Sequence, residues 1–167
     1  MASLNLGIKV DLTKGSITQA IIELNNYAGK LEEANRLLTE RLATIGAVAA
    51  SINFARAIYT GNFTYDIQVE EIANGYAVIA SGENIGFVEF GAGATYGYGH
   101  PDSHGYGPGT WPEGRRQNKQ YANWENPEGW HIPGGQHTFG NPPNAGMYNA
   151  KEEIIRALES VAREVFA

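Results

Sequence analysis

The spacing of apolar positions changes several times along the chain. Leu4, Leu6, Ile8 and Val10 alternate with Asn5, Gly7, Lys9 and Asp11, a pattern that predicts a short strand. Thr13-Lys14-Gly15-Ser16 interrupts it, and Ser16 is placed to cap a following helix. From Ile17 the period is helical, through Ile17, Ile21, Leu24, Ala28 and Leu31, then Leu38, Leu42, Ile45, Ala49 and Ile52. Gly29 is expected to divide this run into two helices, since glycine costs roughly 1 kcal/mol in a helix interior relative to alanine. The second and longer helix then covers Lys30 to Tyr59, and its Ala47, Ala49, Ala50, Ala55 and Ala57 permit close packing against a neighbour.

Beyond Asn62 the period falls to two. Phe63, Tyr65, Ile67 and Val69 alternate with Thr64, Asp66, Gln68 and Glu70, Asn74-Gly75 signals a hairpin, and Tyr76 to Ala80 supplies the return strand. Ile85 to Phe90 fits a short helix or a third strand, and periodicity does not separate the two. At the other end, Ile154, Ile155, Leu158, Val161, Ala162, Val165 and Phe166 form an apolar stripe that predicts an amphipathic helix from Met147 to Ala167. The predicted fold is therefore α+β: N-terminal helices packed on a small antiparallel sheet, a long Gly/Pro/aromatic loop, and a C-terminal amphipathic helix. Residues 1–167 read as a single domain, with 92–144 an extended loop insertion.

That insertion differs in composition from the rest. It holds 11 of the 21 glycines and all the prolines, tryptophans and histidines, and no period persists in it. Stretches of this length without regular structure are either functional or disordered. Tyr96, Tyr98, Tyr106, Trp111, Tyr121, Trp124, Trp130 and Phe139 speak against disorder, which is poor in aromatics, and for contact with a neighbour.

Composition narrows the function classes. A net charge of −6 removes any overall electrostatic drive toward nucleic-acid phosphates; Arg115, Arg116 and Lys119 form the only tight basic cluster. The chain has no cysteine, which excludes disulfides, thiolate metal sites and cysteine nucleophiles. Neither a signal peptide nor a membrane span is expected: Ala43 to Ile58, the most apolar window, is interrupted by Ser51, Asn53 and Arg56. The chain is expected to be made and retained in the cytoplasm.

No catalytic constellation emerges. His100 and His104 stand four apart with His131 and His137 downstream, but Pro101, Gly105 and Gly107 argue against the rigid element a zinc site needs. These histidines are expected to hydrogen-bond locally or face solvent. Gly91-Ala92-Gly93 lacks the lysine and helix cap of a phosphate cradle, and the chain has no G-x-S-x-G. Glu70 and Glu71 point to opposite faces of a strand. Glu89, between Val88 and Phe90, is expected to be partly buried, as an acid or as half of an ion pair across a subunit boundary. No metal and no cofactor are expected.

Phe87-Val88-Glu89-Phe90-Gly91-Ala92-Gly93 resembles the V-E-F-G-T-G signature of a family of tailed-phage minor tail components, the lambda protein Z-like neck or tail-completion proteins. Ala55-Arg56-Ala57-Ile58-Tyr59-Thr60-Gly61-Asn62-Phe63 is similar to that family's passage from an Ala-rich helix through Thr-Gly into a strand. Gly109-Thr110-Trp111, Gly129-Trp130 and His137-Thr138-Phe139-Gly140-Asn141-Pro142 resemble the long loop of one branch, and Met147-Tyr148-Asn149-Ala150 its entry to the last helix. The match is weakest before about Ala34. Ala92 stands where the family has threonine, and Ile58-Tyr59 where a proline is common.

The resemblance implies a non-enzymatic virion subunit at the head–tail junction. It would join head and tail as part of a ring, expected as a hexamer, through which DNA passes without specific binding. Its neighbours would be head-completion proteins and the tail terminator or tail tube, with no membrane partner. Phe87, Glu89, Phe90, Gly91, Gly93, Trp111, Trp124, Trp130, Phe139 and Met147 are the expected subunit contacts, with Val88 to Gly91 anchoring the loop. Alternatives are a tail terminator or head-closure subunit and, from another class, a carbohydrate-binding or hydrolytic tail module using Glu89. Deleting Tyr96 to Gly135 is expected to leave a folded core that fails to assemble.

Overall fold

A computed structural model describes residues 7–9, 11, 13–57, 64–82, 85–93, 99–102, 127–131 and 136–167. In order the elements are α1 (Lys14–Ala55), β1 (Asp66–Ile72), β2 (Gly75–Ser81), α2 (Ile85–Phe90), β3 (Trp130–His131), β4 (His137–Thr138) and α3 (Gly146–Phe166). α1 packs against α3 and against the β1–β2 hairpin, which makes the fold α+β. The strand expected over Leu4 to Val10 lies largely outside the described residues, and Gly7 to Lys9 carry no strand. Among the described residues no helix is long and apolar enough to cross a membrane.

α1 is one helix of 42 residues, not two. Gly29 sits inside it with open space around the position a Cβ would take. The local cost of glycine is small beside the continuous hydrogen-bond ladder, and polar pairs support the exposed face on both sides of it. Gln19 bonds Glu23, and Arg36 bonds both Glu33 and Glu40. The bond to Arg36 holds the Glu33 carboxyl below its ordinary range, while Glu33 and the Tyr76 hydroxyl hold the Arg36 guanidinium above its own. The helix also starts earlier than Ser16 suggested. Thr13 is the N-cap, its hydroxyl accepting from Ser16 N–H at 3.3 Å, and Ser16 Oγ instead accepts from Asp11 N–H at 2.8 Å. At the other end α1 stops at Ala55, short of the expected Tyr59, and Tyr59 lies outside the described residues.

The hairpin is displaced three residues from its expected start. Asp66 pairs with Ser81 and Ile72 with Gly75, so Ala73-Asn74 form the tight turn in place of Asn74-Gly75. Gly75, at φ +144, takes the positive-φ geometry, and Asn74 does not. Ile85 to Phe90 resolves as a helix.

Ala50, Phe54, Val88 and Ala150 form the core, with Tyr65, Ile67, Ala80, Ile85 and Met147 packed around it. α3 runs antiparallel to α1: Gly146 abuts the Phe54 ring, Ile154 abuts Gly46, and Glu164 pairs with Arg41 at 3.2 Å. Gly46 sets the closeness of that crossing, because a Cβ there would stand 2.6 Å from Ile154 Cδ1. Small residues on α1 thus let α3 approach, as the alanine-rich sequence suggested.

Two substitutions test this account by denaturant unfolding followed by circular dichroism. Gly29→Ala is expected to stabilise α1 by about 0.5–1 kcal/mol, having room for its methyl. Gly46→Leu is expected to destabilise by about 1–3 kcal/mol through overpacking against Ile154 and Val78.

Candidate functional site

α3 begins without a usable cap of its own. Its N-cap is Ala145, held in the left-handed region at φ 54, ψ 39, and no side chain at that position satisfies the first turn. Alanine is among the poorest N-caps because it offers no acceptor. Glu89, the fifth residue of α2, takes over that role from a distance in sequence. Its Oε2 accepts from Met147 N–H at 2.9 Å and its Oε1 from Tyr148 N–H at 3.1 Å. A negative charge at this end also complements the dipole of a 21-residue helix.

The same Oε1 lies 3.1 Å from Nε2 of His100, and both side chains are almost wholly enclosed, the residues being 6% and 3% exposed. The other ring nitrogen, Nδ1, accepts from Asp102 N–H at 3.1 Å. With Nδ1 used as an acceptor, the proton of the ring sits on Nε2 and is donated to Glu89. Phe90 and Tyr148 pack on the imidazole, with centroids at 4.7 and 5.8 Å. Lys151 lies over the Tyr148 ring at 4.3 Å and pairs with Asp102 at 3.1 Å, closing the outer side. The bond to Asp102 raises the Lys151 ammonium above its ordinary value.

Backbone bonds tie the neighbouring segment into the same knot. Asn144 N–H donates to Val88 O at 2.7 Å and Ala145 N–H to Glu89 O at 3.1 Å. Ala92 and Asn141 exchange a pair of bonds at 2.9 and 3.1 Å, and the Asn141 amide donates to Phe87 O at 2.8 Å. Gly91 and Gly93 make this approach possible. Both have positive φ, and a Cβ would stand 2.8 Å from Pro143 N at Gly91 and 2.3 Å from Phe139 O at Gly93. On the α1 side, the Asn144 amide donates to Asn53 O at 3.0 Å, satisfying a carbonyl of the last helical turn.

Of the expected contact residues, Phe87, Glu89, Phe90, Gly91, Gly93 and Met147 gather at this knot. The partners of Glu89 described above, His100, Met147 and Tyr148, all belong to its own chain. Phe87 and Met147 are half-buried, Met147 against the core. Phe139 is 57% exposed with its ring 4.9 Å from that of His137, on the far side of the Ala92–Asn141 bridge. Trp130 pairs through its backbone with Thr138, so the 92–144 stretch does contain a short β3–β4 ladder. Trp111 and Trp124 lie outside the described residues, as do Tyr96, Tyr98, Tyr106, Tyr121 and His104. His131 and His137 are exposed and stack edge to face at 5.0 Å.

No local pattern points to Asn53, Asn141, Asn144 or Asp102, whose roles depend on long-range approach. An acid flanked by Val88 and Phe90 was the one available signal that something must pair with it.

Chemically, the knot is closed. Three donors bond the two oxygens of Glu89, and the residue is 6% exposed. Among the described residues no group of three or more His, Asp or Glu stands close enough to share a metal ion. Two grooves among the described residues lie along the α1–α3 seam. One of about 380 Å³ is lined by Ile52, Asn53, Arg56, Asn149, Glu152 and Arg156, and a more apolar one of about 370 Å³ by Ile45, Val48 and Ile52. No family model, curated protein or solved structure matches the chain.

The knot predicts an ordered pair of stability changes in urea unfolding. Glu89→Ala is expected to cost about 3–5 kcal/mol, the range for stripping one partner from a buried ionic arrangement. His100→Gln is expected to cost less, about 1–3 kcal/mol, because the first turn of α3 keeps its carboxylate.

Proposed function

We propose that this chain is a structural virion protein of a tailed bacteriophage, a neck or tail-completion subunit that joins head and tail by assembly and not by catalysis. The observation that carries the reading is an imbalance between core and surface. Phe54 is the only large side chain fully buried among the described residues, while Ile17, Ile21, Leu24, Leu31, Val48, Ile52 and others stand 40% or more exposed. A subunit of this kind completes its burial against other proteins. The resemblance of residues 87–93 to the V-E-F-G-T-G signature adds to it, since those residues build the anchor at the base of the aromatic-rich stretch.

In this reading copies form a ring, taken as a hexamer, through heterologous contacts whose rotation closes. Head-completion proteins lie on one side and the tail terminator or tail tube on the other. The net charge of −6 suits a lumen through which DNA slides without being held. The aromatic side chains of the 92–144 stretch supply contacts between neighbours.

The knot moves the bounds of a useful deletion. Removing Tyr96 to Gly135 also removes His100 and Asp102, which belong to the knot. Replacing residues 103–126 with a short Gly/Ser linker spares both. This variant is expected to keep the helix content of the full chain and an unfolding free energy within about 1 kcal/mol of it, yet fail to rescue a phage whose own copy carries an early stop codon. Electron microscopy of the stop-codon lysate is expected to show filled heads beside unattached tails. Normal infectious particles from that lysate would defeat the reading.

A further inference from the structure

We propose that the projecting N-terminal half of α1 pairs antiparallel, through Ile17, Ile21, Leu24 and Leu31, with the same half of α1 in a second copy of this chain. The pairing is argued from α1 alone, concerns the free chain in solution, and is an isologous contact separate from the heterologous ring contacts of the head–tail reading, on which it does not rest.

The first observation is a mismatch of lengths. At 1.5 Å per residue, α1 spans about 63 Å and α3 about 32 Å. α3 starts beside Phe54, and its ion pair nearest the C-terminus with α1 is Glu164 to Arg41. The first half of α1 therefore extends beyond the helix that packs on the second half.

The second observation is what that first half carries. Ile17, Ile21, Leu24, Ala28 and Leu31 follow steps of four and three, the spacing of a helix–helix seam, and the stripe continues through Leu38, Leu42 and Ile45. Leu38, Leu42 and Ile45 are half-buried. By contrast Ile17, Ile21, Leu24 and Leu31 are 44%, 53%, 50% and 43% exposed. Four large aliphatic side chains exposed along one stripe of a helix are unfavourable in water. The helix that packs on the second half of α1 runs antiparallel to it, so a second α1 in the same sense continues the arrangement already present.

Charge selects the partner and the direction. The first turn of α1 contains no acidic residue and opens with Lys14, while Glu32 and Glu33 stand at the far end of the exposed stripe. Glu33 is engaged by Arg36. In an antiparallel pair that sets Ile21 against Leu24 and Ile17 against Ala28, Lys14 and the positive end of one helix come beside Glu32 of the partner subunit. Two-fold symmetry repeats that contact. A parallel pair would set Lys14 level with Lys14 and Glu32 level with Glu32, opposing like charges.

The test uses the full chain in solution. Sedimentation across a concentration series is expected to show a dimer, and Leu24→Glu, at a half-exposed position, is expected to weaken it about 100-fold while far-ultraviolet circular dichroism stays unchanged. Since the chain has no cysteine, introduced ones report alone. A variant with both Ile17→Cys and Ala28→Cys is expected to form a covalent dimer on mild oxidation, while Ile17→Cys alone and Ala28→Cys alone do not. A wild-type chain that stays monomeric at every concentration overturns the proposal, whether its own first residues or another protein covers the stripe. Efficient self-linking of Ile17→Cys alone overturns it as well, by showing a parallel pair.

Discussion

The carboxylate of Glu89 governs the layout of this molecule. It is a buried charge, and such groups are unfavourable unless every oxygen is matched. Here the match comes from two backbone donors at the start of α3 and one from His100. The first turn of α3, capped by an alanine, has in turn no other carboxylate to receive those donors. Each side supplies what the other lacks. This mutual dependence places α3 on α1, brings Phe54 under Gly146, and holds residues 141–145 against α2. Core packing alone, resting largely on alanines and one phenylalanine, would specify the position of α3 far less sharply.

The same economy explains the surface. A chain of 167 residues with this many apolar side chains has material for a larger core than it builds. The described part spends its packing on helix contacts made close by small residues, and leaves large aliphatics outside. A two-stranded sheet is also too small to be stable by itself and depends on α1 beneath it. Such a subunit is economical only if other surfaces complete it, which is the physical content of reading it as an assembly protein.

How much was legible depended on the range of the determining contacts. The helical period from Ile17 and the amphipathic stripe of α3 are local patterns, and both elements stand where those patterns place them. The break at Gly29 failed because a propensity of about 1 kcal/mol is outweighed by the ladder and side-chain pairs around it. The turn slipped by one residue because Gly75 alone takes the positive-φ geometry that Asn74-Gly75 had been expected to share. Burial of Glu89 was foreseeable from its apolar neighbours, but its partners were not. His100 lies 11 residues away, Met147 and Tyr148 lie 58 and 59 away, and no periodicity encodes such approaches.

The pair of backbone hydrogen bonds between Ala92 and Asn141 brings the two ends of a 48-residue span together before the intervening chain is considered. Loop-closure entropy grows only with the logarithm of length, by about 0.6 kcal/mol for each doubling. With His100 and Asp102 retained, a longer or shorter stretch between Asp102 and Pro127 therefore changes the entropic cost of that closure only slightly. The span can thus carry a length of its own choosing while the fold that clamps its ends stays the same.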